Sequence, residues 1–440
     1  MSQHKEDLTY RQILVFWIPL AATWLMMATE GPLLAALIAR LPDPKFNLAA
    51  YGVAFSFAVL IEAPIIMIMS ASTALVKDRD SYLKLRNFTY SLNAAITAVM
   101  VVFLLPPVFN FVMKSLVGLP PEVTRLTHHA CLALLPWPGA IGYRRFYQGI
   151  LIADRKTRRV AYGTAVRLTS ILVTSFSLYL FTDLNGSLVG GLALGISVTA
   201  EALATRAMAD SSVRKFKGLN RNPHPSETLS YRFISGFYYP LALTSILALG
   251  VHPMVTFFLG KSRMPLESLA VMPVIISLVF IFRCLGLSYQ EVAIALLGEG
   301  GRNLERLRRF AGLLAVCVSG GLALIAFTPA SLIWFQKISG LPSSLAEFAI
   351  LPTRIMVLIP ALSVILSMQR GILVGFKRTK PITIATAIEV AGIFCVLALT
   401  LHRLEFVGVV GAALALICGR SLANLYLLVV CSKVRKQAQA

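Results

Sequence analysis

Nine charged side chains fall inside runs of this chain that are otherwise apolar: Glu30, Glu62, Glu201, Glu291 and Glu389, with Arg167, Arg283, Arg354 and Arg420. A charge near the centre of a bilayer costs at least about 2.5–3.5 kcal/mol, so such residues face a polar cavity or one another. Each is therefore a candidate for handling an ion or a charged substrate. Glu30 stands beside Gly31-Pro32, where a helix should break, and a carboxylate next to freed backbone carbonyls suits a proton or Na⁺; the alternative is a satisfied cap. Glu201 and Glu291 lie in the inner thirds of their runs, within reach of cytoplasmic water, and join Glu30 as candidate ion-coupling residues. Arg354 follows Pro352 in an outer third. Its planar guanidinium matches carboxylate or phosphate, which makes it a candidate anion clamp unless Glu347, two turns earlier, takes it up.

Two pairs of these charges share a spacing. Glu62 and Arg283 are 221 residues apart, Arg167 and Glu389 are 222 apart, and each pair carries opposite signs. The same offsets recur along the chain. Tyr10-Arg11, Phe16 and Pro19-Leu20-Ala21 return as Tyr231-Arg232, Phe237 and Pro240-Leu241-Ala242. Pro138, Gly149-Ile150-Leu151 and Thr164-Ala165 return as Pro360, Gly371-Ile372-Leu373 and Thr386-Ala387. A repeat of this length is two copies of one unit. Across a pseudo-twofold axis, Glu62–Arg283 and Arg167–Glu389 could pair between lobes as gates; alternatively, each charge pairs within its own half. Arg354, Arg283 and Glu62 are the candidate substrate-binding residues.

The elements that must hold these residues are membrane helices. The chain is 57% hydrophobic and 14% charged, against roughly a quarter charged in ordinary soluble domains. Twelve apolar runs, near 11–38, 47–76, 87–113, 124–149, 160–181, 187–209, 232–258, 266–297, 309–332, 346–372, 381–401 and 406–431, approach or exceed the length that crosses a bilayer. The first is too long for a signal-peptide core and reads as a permanent span. With the N-terminus inside, cytoplasmic segments hold 29 Lys and Arg and outer loops hold 8. This bias puts both termini in the cytoplasm. It also accounts for the net charge of +21, which is a topology signal and argues against nucleic-acid binding. The expected fold is an all-α polytopic membrane protein of about 12 transmembrane helices, built as two pseudo-symmetric six-helix bundles. The expected domains are 1–209, a polar cytoplasmic linker 210–230 containing Asn222-Pro223 and His224-Pro225, and 231–440. Because six spans is an even number, both halves enter from the same side and the repeat is parallel. The six cysteines lie in or at the ends of apolar runs without a C-x-x-C spacing, and neither a metal site nor a catalytic residue is expected. There is no Walker, HExxH or GxSxG motif, so the chain does not read as an enzyme, and transport would draw on a gradient.

The segments Pro19-Leu20 with Glu30, Leu48-Ala49-Ala50-Tyr51-Gly52-Val53-Ala54-Phe55-Ser56, and Ala346-Glu347-Phe348 followed by Pro352-Thr353-Arg354-Ile355 and Pro360 resemble the progressive ankylosis (ANK) transporter family. The two-by-six plan resembles the wider exporter superfamily that includes the MATE transporters. The resemblance implies lobes that alternate access to a central cavity, and export of anions such as pyrophosphate, nucleotides or citrate. Two alternatives stay open: a cation-coupled multidrug antiporter of MATE type, in which Glu30 and Glu62 would be needed, and a flippase for lipid-linked oligosaccharides. The expected setting is a multi-pass protein of the inner membrane acting as a monomer. Its partners are the bilayer and an anionic small molecule, with no cofactor beyond a possible H⁺ or Na⁺ coupling ion.

Overall fold

The computed structural model describes residues 8–154, 156–219, 229–298, 301–376, 378, 380–400 and 404–439. Arg155, Asn222 to Pro225, Lys377 and Thr379 lie outside them. In chain order the helices are α1 (Tyr10–Ala28), α2 (Glu30–Ile38), α3 (Pro44–Glu62), α4 (Ile68–Leu75), α5 (Arg79–Leu104), the short α6 (Pro106–Asn110), α7 (Pro121–Ala133), α8 (Trp137–Ala153), α9 (Thr157–Phe181) and α10 (Gly186–Gly218). The second copy gives α11 (Tyr231–Leu249), α12 (Val251–Gly260), α13 (Pro265–Leu287), α14 (Tyr289–Leu296), α15 (Leu304–Phe327), α16 (Ala330–Leu332), α17 (Ser343–Ile355), α18 (Ile359–Gly375), α19 (Lys380–Ala398) and α20 (Gly408–Gln439). Among the described residues β pairing is confined to one isolated bridge, Arg263 with Val407. Eleven of the described helical stretches are long and apolar enough to cross a membrane. The expected fourth span does not qualify because Leu134 to Pro136 break it into α7 and α8, and α8 carries Arg144 and Arg145 in its interior. Its repeat mate runs from Ser343 to Gly375 as a single candidate span.

The repeat holds down to single hydrogen bonds. Thr9 caps α1 by accepting from the Gln12 amide, and Ser230 caps α11 by accepting from the Phe233 amide. Asn47 Oδ1 accepts from the Ser187 amide at 2.9 Å, and at the matching positions Ser268 Oγ accepts from Val409 at 3.1 Å. The turn after the third span of each half closes on a wide helical turn, Phe111–Val117 or Ile333–Ile338. Each then reverses at a left-handed glycine, Gly118 (φ 84°) or Gly340 (φ 73°), a conformation that costs most other residues energy. The polar seam starts later than residue 210, because α10 continues to Gly218.

The helices form two compact units, residues 37–261 and residues 1–36 with 262–440. These are not the sequence halves. The first span of each half is built into the unit of the other, and matched bonds hold it there. Trp17 Nε1 of α1 donates to the Leu285 carbonyl at 3.3 Å and to Ser288 Oγ at 2.8 Å, at the break between α13 and α14. Tyr238 of α11 donates to the Pro64 carbonyl at 2.7 Å, in the turn between α3 and α4. Residues 17 and 238, like 64 and 285, are 221 apart. Trp17 also meets Phe310 edge-on at 6.1 Å, inside an apolar cluster with Ile13, Tyr289 and Leu314.

In the 37–261 unit, α8 lies directly on α3 and α4. A Cβ at Gly142 would come 2.5 Å from Ile65 Cγ1, and one at Gly149 would come 2.5 Å from the Met69 carbonyl and closer still to Ser72. The other unit repeats the approach at Gly371, where a Cβ would stand 2.5 Å from Ala293. Large apolar side chains point outward from α9, α15 and α20, among them Leu180, Phe181, Val316, Leu324 and Leu425. Bare apolar surface of this kind suits lipid.

At the C-terminal end of α8, Asp154 is almost fully covered and bonds Lys156 and Lys215, each at 2.6 Å, and Ser212 at 2.7 Å. Burial alone would raise its pKa, but the lysine and serine hydrogen bonds outweigh it and hold the carboxyl well below the usual carboxylate range. Stability from this group is therefore present above the unfolded value near pH ~4 and is lost as pH falls through the lower folded value. Asp154→Asn is expected to cost about 1–3 kcal/mol at pH 7, with the gap to wild type narrowing steadily as pH falls below ~4, read by thermal melts in detergent across that range. Gly149→Val is expected to be worse than Gly149→Ala and to lower the melting temperature by several degrees, because backbone at Met69 cannot yield.

Candidate functional site

The buried charges gather into two clusters, one in each unit. In the 37–261 unit, Glu201 of α10 is 1% exposed. Its Oε2 accepts a short hydrogen bond from Arg144 Nη1 of α8 and lies 3.9 Å from Arg167 Nη1 of α9, while Gln148 Nε2 donates to Oε1 at 3.3 Å. Gly163 lets α9 close on α10 at this level: a Cβ there would stand 3.1 Å from Thr205 Oγ1 and 3.6 Å from Glu201 Oε1. The Arg167 guanidinium also covers the Trp137 ring at 5.6 Å. Arg145, next on α8, reaches the Met69 thioether at 3.8 Å. Glu62 ends α3 where a 3-10 turn (Ala63–Ile65) begins; it is 5% exposed and lies within electrostatic reach of Arg144, Arg145 and Arg167. Three arginines thus face two carboxylates.

The cluster in the other unit repeats this bond with its signs exchanged. Glu389 of α19 accepts from Arg420 Nε of α20 at 2.7 Å. Where unit 37–261 has a base on its fifth span and an acid on its sixth, this unit has the acid first. Arg420 Nη1 also points to Ser363 Oγ at 3.5 Å, and Arg370 of α18 donates to Thr386 Oγ1 at 3.2 Å. Arg283 of α13 is half-buried within electrostatic reach of Glu389, Arg370 and Arg420. Three arginines here stand around one carboxylate.

The opposite signs at matched positions, Arg167 with Glu389 and Glu62 with Arg283, are therefore met inside each unit: Arg167 by Glu201, Glu389 by Arg420, Glu62 by the α8 and α9 arginines, and Arg283 by the Glu389 cluster. Glu201, expected to carry an ion, is instead held by Arg144 and Gln148 with Arg167 beside them. Glu30 is buried in the first turn of α2, just after the break at Thr29, where Gly31 packs against Ser277. Glu291 opens α14 and is exposed. Arg354 is also exposed: it donates through Nε to the Ala326 carbonyl at 3.0 Å and covers Phe327 at 5.5 Å, so it caps the end of α15 and is not bonded to Glu347. Arg144, Arg145 and Arg370 were not among the charges singled out in the sequence. The clue to their role was that Gln148 and Arg370 are repeat mates, 222 residues apart.

Solved structures carry the same arrangement of helices over nearly the whole chain. An inward-facing multidrug-resistance MATE family transporter of the MOP superfamily superposes with a TM-score of 0.73 at 15% identity, covering 95% of this chain and 99% of that one. The fold is that of the MOP-superfamily transporters. A MOP-superfamily transporter from Pyrococcus furiosus, described by a binding pocket of reversed polarity, matches at TM-score 0.65 and 15% identity over 99% of this chain and 100% of its own. The inward-closed lipid II flippase MurJ matches at 0.69 and 13%, over 96% and 90%. No protein family's sequence pattern matches the chain, and no curated protein does. A MOP-type fold agrees with the all-α, polytopic expectation, while likeness at this identity speaks for the fold and leaves the cargo to the site.

Glu201→Ala would leave Arg144 and Arg167 uncompensated in a dry interior. A loss of about 3–5 kcal/mol is expected, against far less for Glu201→Gln paired with Arg144→Met. Folded yield and melting temperature in detergent check this.

Proposed function

We propose that the protein is a secondary active exporter of small organic or phosphate-bearing anions, working by alternating access in the plasma (inner) membrane with both termini cytoplasmic. The observation that carries this reading is the surplus of arginine over carboxylate in both buried clusters: Arg144, Arg145 and Arg167 against Glu62 and Glu201, and Arg283, Arg370 and Arg420 against Glu389. Arginine does not shed its charge under these conditions, so an excess held away from water calls for an anion. Arg145 and Arg283 are the arginines to assign to it, since Arg144, Arg167 and Arg420 already hold carboxylates. Arg354 belongs to the frame of α15 in this reading. The MOP-type fold and the ANK-like segments support an exporter. The reversed-polarity pocket named for the Pyrococcus furiosus relative shows that this fold accommodates pockets of differing charge.

A lipid-linked cargo is the second reading, favoured by the likeness to MurJ, because a diphosphate headgroup offers arginine the same chemistry. A cationic drug fits less well, as Glu201 and Glu389 are spent on arginines.

Flux of pyrophosphate, citrate and ATP is measured in proteoliposomes beside a cationic dye and a fluorescent lipid-linked diphosphate. Anion flux is expected, reduced about tenfold or more by Arg145→Gln or Arg283→Gln, as befits loss of a charged hydrogen bond, and kept within about twofold by Arg354→Gln, which removes only a helix-end contact. Dye flux indifferent to the arginines would move the assignment to a multidrug antiporter, and movement of the lipid alone to a flippase.

A further inference from the structure

Glu62 and Arg145 stand unlike the rest of their cluster. Arg144, Gln148 and Arg167 converge on Glu201 and saturate it. Arg145 has a thioether as its hydrogen-bond acceptor among the described residues, where Arg144 has a carboxylate. Sulfur is a weak acceptor for a full charge. The Glu62 carboxylate is buried, with the Trp137 side chain as its polar neighbour, and its Oε2 has no hydrogen-bond partner among the described residues. The two groups feel each other electrostatically, yet no ion pair joins them within 4.0 Å among the described residues. Packing keeps them in register. α8 runs along α3 and α4 with Gly142 on Ile65, Arg145 on Met69 and Gly149 on Ser72, which leaves Glu62 one turn before Ile65 and two turns before Met69, at the irregular end of α3.

This geometry sets a competition. An ionised Glu62 cancels part of the positive field that Arg145 offers to an anion. A protonated Glu62 releases that field and can donate a hydrogen bond. We propose that Glu62 is the coupling group of the anion site: it takes up one proton as the anion binds beside Arg145, and gives it back as the anion leaves. The inference rests on the anion reading above and adds its coupling ion, moving that role from Glu30, Glu201 and Glu291 to Glu62. The proton comes from bulk water onto a carboxylate oxygen, and no other bond changes. The charged and titratable groups facing Glu62 are Arg144 and Arg145 from α8, Arg167 from α9 and, behind them, Glu201 from α10; the Tyr238 hydroxyl of α11 bonds Pro64 two residues on. Arginine has no acceptor and keeps its charge in proteins, and Glu201 is already bonded by Arg144 and Gln148, so Glu62 is the carboxylate whose bonding can change. A polyanion carrying one proton remains net negative, and an inside-negative membrane potential still drives it outward.

The full-length protein in detergent, weakly buffered with a pH indicator, is titrated with pyrophosphate and with sulfate, which does not itself titrate near neutrality. About one proton taken up per sulfate bound is expected of the wild type. Its affinity should weaken toward tenfold per pH unit on the alkaline side, as linkage of one proton requires. Glu62→Gln should bind with an affinity that no longer changes with pH and take up no proton, whereas Glu62→Asp should keep the uptake. Anion binding without proton uptake by the wild type, or a pH dependence that survives in Glu62→Gln, would sink the coupling role and leave the anion reading standing. Absence of anion binding at every pH, in protein that melts cooperatively, would overturn the anion reading and this inference with it. The wild-type measurement decides the matter even where Glu62→Gln fails to fold.

Discussion

Inside a membrane, no water is at hand to satisfy a charge or a peptide group, and every feature of this fold follows from that shortage. The backbone answers it by being helical nearly throughout. The side chains answer it by assembling Glu201 with Arg144, Gln148 and Arg167, and Glu389 with Arg420. Such pairs are weak evidence for stability but leave a large penalty when broken, so they fix which helices neighbour which. Once α8, α9 and α10 are joined at Glu201, the remaining charges of that buried cluster, Arg145 and Glu62, are the ones left for chemistry.

The two copies of the repeat show what that constraint protects. It protects complementarity, while the residues supplying each side are exchangeable. The ion pair between the fifth and sixth spans has its acid on the sixth in one copy and on the fifth in the other. The same exchange occurs in packing. Gly142 of α8 meets Ile65 in one unit; at the matched place in the other, Gly286 of α13 meets Val364 of α18. The small residue has changed helices and the close approach has stayed. The caps repeat the theme, with Asn47 in one copy and Ser268 in the other supporting the start of the sixth span.

Much of this was legible in the order of residues. Apolar run length, the bias of lysine and arginine, and the twofold recurrence of Pro19/Pro240 and Pro138/Pro360 lead directly to a duplicated helical membrane protein. The buried charges were also picked out one by one. Their partners were not, because Arg144 and Glu201 are 57 residues apart and meet only once three helices have packed. Arg144, Arg145 and Arg370 were hidden by their company, lying close to basic stretches at the ends of spans, where a positive charge is unremarkable. Arg354 misled in the opposite way: a lone arginine beside a proline suggests a ligand, whereas its neighbour in space is the carbonyl end of α15. The exchange of first spans left no local trace at all, since hydrophobic periodicity records that a helix is buried and is silent about which helices bury it.

That exchange sets a timetable for assembly. Trp17 waits for partners 268 and 271 residues farther along the chain. At ~5–20 residues per second, ribosomal synthesis delivers them some tens of seconds after α1 has entered the bilayer. Over that interval α1 and α2 hold Glu30 and an open break at Thr29 without the α13 surface that later covers Gly31. The unit made of residues 37–261 has a shorter wait: Tyr238 reaches Pro64, 174 residues earlier, within a contiguous stretch, and that unit can close while the rest is still being made. The earliest helix to be synthesised is thus among the last to be seated, and its long-range closure is the step at which a membrane chaperone or a neighbouring copy would have most opportunity to intervene.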